Sequence, residues 1–269
     1  MNLKQLAACS LLALGMGASI EAQAHRAWML PSATVLSGEN AWVTVDGAIS
    51  NNLFYFEHHP LQLNNLEILS PSGKLVEAQN QATGKYRSVF DVELAEEGTY
   101  TLQNRNQGVF GRYKLEGEMK RWRGSVDEIS QIPAEAEDLR LSEIDSRMQV
   151  FVTKGAPTDA NFKTSGQGIE LVPVTHPNDL FTGEPVEFRF LLDGEPAADL
   201  EVTLIRHGIR YRDQVEEIIV KSDAKGQVNL EFSEPGMYWL EVEAERDSKL
   251  LEGAKRRLSY SATLEVLPL

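Results

Sequence analysis

An all-β chain of two tandem immunoglobulin-like β-sandwiches with a partly helical connecting segment is what this sequence predicts, and three observations predict it. Apolar residues recur every second position: Phe90, Val92 and Leu94; Val228, Leu230 and Phe232; Tyr260, Ala262, Leu264 and Val266. Such runs are half-buried strands, with one face on a core and one in water. Turn clusters punctuate them at Pro71-Ser72-Gly73, Asp193-Gly194 and Asp223-Ala224-Lys225-Gly226. The halves also repeat. Ser37-Gly38-Glu39 leads into Ala41–Val45 as Thr182-Gly183-Glu184 leads into Val186–Phe190, and Gly98-Thr99-Tyr100 is echoed by Gly236-Met237-Tyr238. A tyrosine at the start of a late strand suits a sandwich of this kind.

In chain order, residues 1–24 read as a cleaved secretory signal. Lys4 is its positive end, Leu6 to Ile20 its uncharged apolar run, and Ala22-Gln23-Ala24 an A-x-A cleavage site. Leu6-Ala7-Ala8-Cys9 resembles a lipidation box but comes before any full apolar run. Processing at Ala24 implies a periplasmic product and removes Cys9, the only cysteine, so disulfides, thiolate ligands and cysteine catalysis are excluded. Residues 25–160 are expected to form the first sandwich with a linker helix, and residues 161–269 the second. Pro133 to Arg147 reads as that helix, with Leu139, Leu141 and Ile144 as its apolar contacts and acids in its first turns. Met148–Val152 then reads as a strand returning to the first sandwich, and Gly155–Gly168 as the boundary. A formal net charge of −14 argues against nucleic acid as a partner and favours attraction of cations. No stretch after residue 24 has the apolar length of a membrane span.

The chemistry concentrates at the processing site. His25 becomes the first residue of the mature chain and offers two donors, its imidazole and a new α-amine whose reference pKa is about 7.7–8.0. Both nitrogens suit nickel, cobalt, copper and zinc. His58 and His59, in Phe54-Tyr55-Phe56-Glu57-His58-His59-Pro60, are candidates for further nitrogen, and Glu57 for a carboxylate. In extended chain the two imidazoles point to opposite faces, so only one need serve. Met29 is a soft donor or a core residue. His176 and His207 belong to no metal spacing. Arg206, Arg210, Arg212 and Lys255-Arg256-Arg257 are basic points on an acidic protein, either a solvated face or contacts for an anionic ligand or for the acidic linker. No catalytic motif is present: no G-x-S-x-G, P-loop, H-E-x-x-H or dinucleotide fingerprint.

Several segments together resemble the periplasmic domain-of-unknown-function family 4198, which is grouped with nickel and cobalt uptake components. They are Ala24–Ser32, Gly38, Glu97–Tyr100, Met148–Gly155, Gly168–Pro173, Gly183-Glu184-Pro185, Asp193–Pro196, Asp223–Gly226 and Pro235–Tyr238. The resemblance implies an exported all-β protein of transition-metal uptake or homeostasis that works beside a membrane metal transporter, with nickel or cobalt as the ion. The expected function is therefore periplasmic binding of a divalent transition metal. The alternatives are a metal-free two-module protein that binds a protein or glycan, and a copper oxygenase with an N-terminal histidine brace.

Overall fold

The computed structural model describes residues 26–269; residues 1–24, read from the sequence as a signal, and His25 lie outside the described residues. The first half contributes β1 (Arg26–Pro31), β2 (Val35–Leu36), β3 (Trp42–Ser50), β4 (His59–Pro60), β5 (Leu66–Leu69), β6 (Gln79–Thr83), β7 (Ser88–Glu93), β8 (Gly98–Leu115), β9 (Glu118–Gly124) and β10 (Glu137–Lys154). The second contributes β11 (Ile169–Pro173), β12 (Pro185–Leu192), β13 (Glu195–Pro196), β14 (Glu201–Arg206), β15 (Ile218–Lys221), β16 (Gln227–Glu231), β17 (Gly236–Asp247) and β18 (Lys255–Val266).

These strands make three sheets. A first sheet, ordered β1-β3-β7-β6 with β4 alongside β3, covers one half of a long second sheet; a third, β11-β12-β13 with β16 on β12, covers the other half. The long sheet runs β15-β14-β17-β18-β10-β8-β5 and passes unbroken through both sandwiches. Its join is a parallel pairing of β10 with β18, Ser142 opposite Lys255 through Val150 opposite Thr263. Side chains alternate across a strand, so β10 serves two cores. Met148, Val150 and Val152 face the first, with Phe90, Val92 and Tyr100. Phe151 faces the second, with Phe188, Phe190, Tyr238 and Tyr260.

The repeat seen in the sequence is structural. Tyr100 lies near the start of β8 and Tyr238 near the start of β17, each reached through a glycine at positive φ (Gly98 +119°, Gly236 +139°) that lets the chain swing into the strand. Each tyrosine hydroxyl bonds the backbone four residues earlier. Glu96 N–H donates to Tyr100 Oη at 2.7 Å, and Tyr238 Oη donates to the Glu234 carbonyl at 2.8 Å. This is the tyrosine corner of immunoglobulin-like sandwiches.

The helix expected over Pro133–Arg147 is corrected. A 3-10 helix occupies Val126–Gln131, its start fixed by Ser125 N–H donating to the Glu128 carboxylate at 2.8 Å, and the chain from Glu137 onward is β10. The strand was hidden because its buried face is ionic. Asp145 is 3 % exposed and Arg147 9 %. Arg147 donates to Glu170 at 2.8 Å, while Arg256 on β18 reaches Asp145 at 2.8 Å and Asp193 at 2.7 Å. Met148–Val152 is the strand expected to return to the first sandwich, paired with β8, and it is part of an 18-residue strand that begins at Glu137.

Candidate functional site at the groove beside β1

A third apolar cluster holds the sandwiches together beside the start of the described chain. Trp28 and Ala48 from the first sheet, Leu53 and Phe54 from the loop after β3, and Ile205, Ile209 and Trp239 from the second sandwich pack into it. Strand β1 is fixed on three sides. Trp28 Nε1 donates to Ser50 Oγ at 2.9 Å, Trp239 Nε1 to the Ala27 carbonyl at 3.1 Å, and Thr263 Oγ1 to the Met29 carbonyl at 2.6 Å. Met29 is fully buried in the first core, so it packs there.

His25, outside the described residues, precedes Arg26, whose position is set by backbone pairing with Ser50, an ion pair to Glu217 at 3.0 Å and contact with the Trp239 ring. Ala27 lies opposite Ile49, and Ile49 opposite His59, so the three form one row across β1, β3 and β4. Two strand spacings, roughly 10 Å, separate the start of β1 from the His59 backbone. The His58 and His59 rings do not diverge as an extended chain would make them. Their centroids are 4.1 Å apart, because only His59 belongs to the two-residue strand and His58 still belongs to the loop. Glu57 braces that loop, accepting the Asn52 N–H at 2.6 Å and Asn52 Nδ2 at 2.9 Å. Burial opposes its charge, but these hydrogen bonds, one from Asn51 and the nearby Arg210 together hold its carboxyl below the usual range.

The loop from Asn51 to His58 reaches across to the second sandwich. Phe54, at φ +62°, stacks edge-on against Trp28 and His207, and Tyr55 meets His207 and Tyr211. Burial, with the charge of Arg212, lowers the pKa of His207. His176 lies elsewhere, between the sandwiches. Its Nδ1 accepts the Asn178 N–H at 3.0 Å, so Nε2 carries the proton, within reach of Thr99 Oγ1 (3.0 Å) and the Thr158 carbonyl (3.2 Å). Burial lowers its pKa, against the pull of the Thr158 carbonyl and of Asp179 and Asp159.

A groove of about 340 Å³ opens where the first sheet overhangs the long one, with Ala27 and Ile49 on its rim. Its floor is polar, carrying Ser146, Ser259, Ser261, Glu241 and Glu243. Glu241 and Glu243 share one face of β17 with Trp239. Burial, with Glu243 and Glu217 nearby, pushes the Glu241 carboxyl up to about 7, against the pull of Arg26. Sequence reasoning passed over both acids, since an alternating Leu240-Glu241-Val242-Glu243 normally means acids in open water. Only the overhang of the first sheet makes that face a groove. Among the described residues, no three His, Asp or Glu side chains gather closely enough to hold a metal ion, so the described chain supplies at most part of a coordination shell.

No curated protein sequence matches the chain. Solved structures align only loosely. A DUF4785 family protein from Legionella pneumophila aligns at 8 % identity and TM-score 0.25, over 80 % of this chain and 50 % of its own, so the present chain spans half its length. The human OSCAR ligand-binding domain aligns at 12 % identity and TM-score 0.22, over 90 % of this chain and 99 % of its own. The D0-D1 domain of intimin aligns at 11 % and 0.21, over 88 % and 97 %. By sequence, residues 22–246 match the family described as Domain of unknown function (DUF4198), and the chain belongs to that family.

Proposed function

We propose that this protein is an exported binding protein for a divalent first-row transition metal, held where the processed N-terminus meets the groove. The amine and imidazole of His25 supply one chelate, His58 or His59 further nitrogen, and Glu57 an oxygen. The carrying observation is the row Ala27–Ile49–His59, which brings the internal histidine pair to the same end of the first sheet as the start of β1. Glu243, joined by Glu241 as its carboxyl ionises near pH 7, adds negative charge to a groove that Arg123 and Arg147 also line. Nickel and cobalt are the ions the family resemblance favours; by donor chemistry copper binds such nitrogens at least as tightly. Delivery to a membrane transporter is the role that fits an exported chain of this kind. The test is calorimetric titration with Ni(II), Co(II) and Cu(II) of protein beginning at His25 and of protein retaining Ala24. An added residue turns the amine into a peptide nitrogen. The affinity is expected to fall on the order of tenfold or more, as for loss of one good interaction. Equal affinity in the two forms would sink the proposal.

A further inference from the structure

The ends of β8, β9 and β10 carry a feature that metal binding does not use. Arg121 lies directly opposite Arg112, and Arg112 directly opposite Arg140, so three arginines form one row across three adjacent strands. In the next row Phe110 stands between Arg123 and Ser142, and Ser142 faces Lys255; Arg257 follows opposite Ile144. Directly opposed residues share a face, and like charges there are destabilising. A protein of net charge −14 has acids to spare for neutralising them. Yet the side chains of Arg112, Arg121 and Arg140 make no ion pair within 4 Å and no hydrogen bond among the described residues, and only Asp138 lies near enough for its charge to act on Arg140. The nearby Asp138 is bonded to Lys114 at 2.7 Å, Lys255 is paired with Asp247 at 2.7 Å, and Arg257 is 3.9 Å from Glu245.

Beside this row is a recess of about 740 Å³. Strand β18 pairs with β10 only from Ser142 onward, so Leu139–Leu141 have β8 on one side and, across a gap, the loop Leu251–Ala254 on the other. The recess has a cationic end, Arg112, Arg140 and Arg257, and an apolar flank that includes Phe110, Leu139 and Leu251. Phe110 is 37 % exposed and Leu139 43 %. The volume is that of a small-molecule site.

We infer that this recess binds a single anionic amphiphile, with a phosphate or carboxylate head on Arg112 and Arg140 and an alkyl chain against Phe110, Leu139 and Leu251. A bare phosphate would leave the apolar flank unused. A long polyanion would meet Glu116, Glu118, Glu137 and Glu252 around the cationic row. Guanidinium pairs are well shaped for bidentate contact with such a head.

The experiment titrates the full mature chain with dodecyl phosphate below its micelle concentration, with inorganic phosphate and with dodecyl maltoside. It adds co-sedimentation with phosphatidylcholine vesicles with and without phosphatidylglycerol. Dodecyl phosphate is expected to bind at least tenfold more tightly than either partial probe. The double variant Arg112→Gln/Arg140→Gln should lose at least tenfold, and Leu139→Ser severalfold. Relief of like-charge contact should leave the thermal midpoint of the double variant unchanged or raised, which separates lost binding from lost folding. Undiminished binding by the double variant overturns the inference. So does equal binding of dodecyl maltoside, or sedimentation with anionic vesicles without binding of the monomeric probe.

Discussion

The two sandwiches share a plan and differ in how far they carry it. In the first, β8 and β10 are 18 residues each; in the second, the corresponding β17 and β18 are 12 each. Six more residues per strand extend the sheet by about 20 Å at about 3.3 Å per residue. The shorter pair ends close to its core and presents Glu241 and Glu243 to the groove. The longer pair runs past its core and presents arginines to open space. Core packing fixes the shared part of the plan, and the unshared part is where surface charge collects, acids of β17 in the groove and arginines of β8 and β10, with Arg257 of β18, at the recess.

Beside the β10–β18 pairing and the apolar cluster under β1, an ionic seam on β10 ties the halves together, and its rupture should give the largest effect. Glu170 accepts from Arg147, from Ser165 N–H and Oγ, and from Gly166 N–H, all within 2.9 Å. Replacing Arg147 by Ala leaves that carboxylate buried without its counter-charge, at a cost of about 3 kcal/mol or more. Replacing both partners, Arg147→Met with Glu170→Gln, should recover part of the loss, since no buried charge is left unpaired while the amide oxygen still accepts from the Ser165 and Gly166 N–H groups. Urea unfolding of the three proteins measures this. A single variant within about 0.5 kcal/mol of the parent, the range of ordinary surface substitutions, would mean that the seam does not help to join the halves.

The same seam explains what the sequence could and could not show. Phe90, Val92 and Leu94, or Tyr260, Ala262 and Leu264, are legible as strands because their buried faces are apolar. Along β10 the buried face reads Asp145 and Arg147 before Phe151, so a hydrophobic pattern cannot find it, and Leu141 with Ile144 suggests a helical spacing instead. The paired tyrosines were legible because a glycine at positive φ and an aromatic form a local signal. The groove was not, since it depends on the first sheet overhanging residues more than a hundred positions later. The arginine row is a property of register, which brings residues 112, 121 and 140 together with no local mark in the chain.

A smaller effect should distinguish the acidic groove from the cationic arm by pH. The Glu241 carboxyl titrates near 7 in the folded protein, above the ordinary carboxylate value near 4.5. The native state therefore binds a proton more readily than the unfolded chain, and stability falls as pH rises from about 4.5 through about 7. Glu241→Gln removes this slope and should stabilise the protein at pH 8 by on the order of 2 kcal/mol, after allowance for solvent screening. At pH 4 the two proteins should be nearly equal. Thermal midpoints across that range decide it. A difference that does not change with pH would mean that Glu241 titrates as an ordinary surface acid.

The finest comparison is between the two tyrosine corners, where the same residue makes the same loop-back bond with opposite polarity. Tyr100 Oη accepts from the Glu96 N–H, whereas Tyr238 Oη donates to the Glu234 carbonyl. Tyr100→Phe leaves a half-buried backbone N–H with no acceptor. Tyr238→Phe leaves a carbonyl with no donor, at a residue that is itself exposed. Orphaned buried N–H groups are rarer in folded proteins than under-bonded carbonyls, which have two lone pairs. Water can also reach the Glu234 side. Phenylalanine keeps the ring in both variants, and Tyr100 and Tyr238 are both core residues, so only the hydroxyl and its hydrogen bond differ. Tyr100→Phe should therefore cost about 1.5 kcal/mol and Tyr238→Phe about 0.5 kcal/mol, the span of ordinary net hydrogen-bond contributions. Chemical denaturation of both variants measures the pair under one set of conditions. Equal losses would show that each hydroxyl acts only as filler at the corner, and a larger loss at Tyr238 would show that the carbonyl, not the N–H, is the group each sandwich needs satisfied.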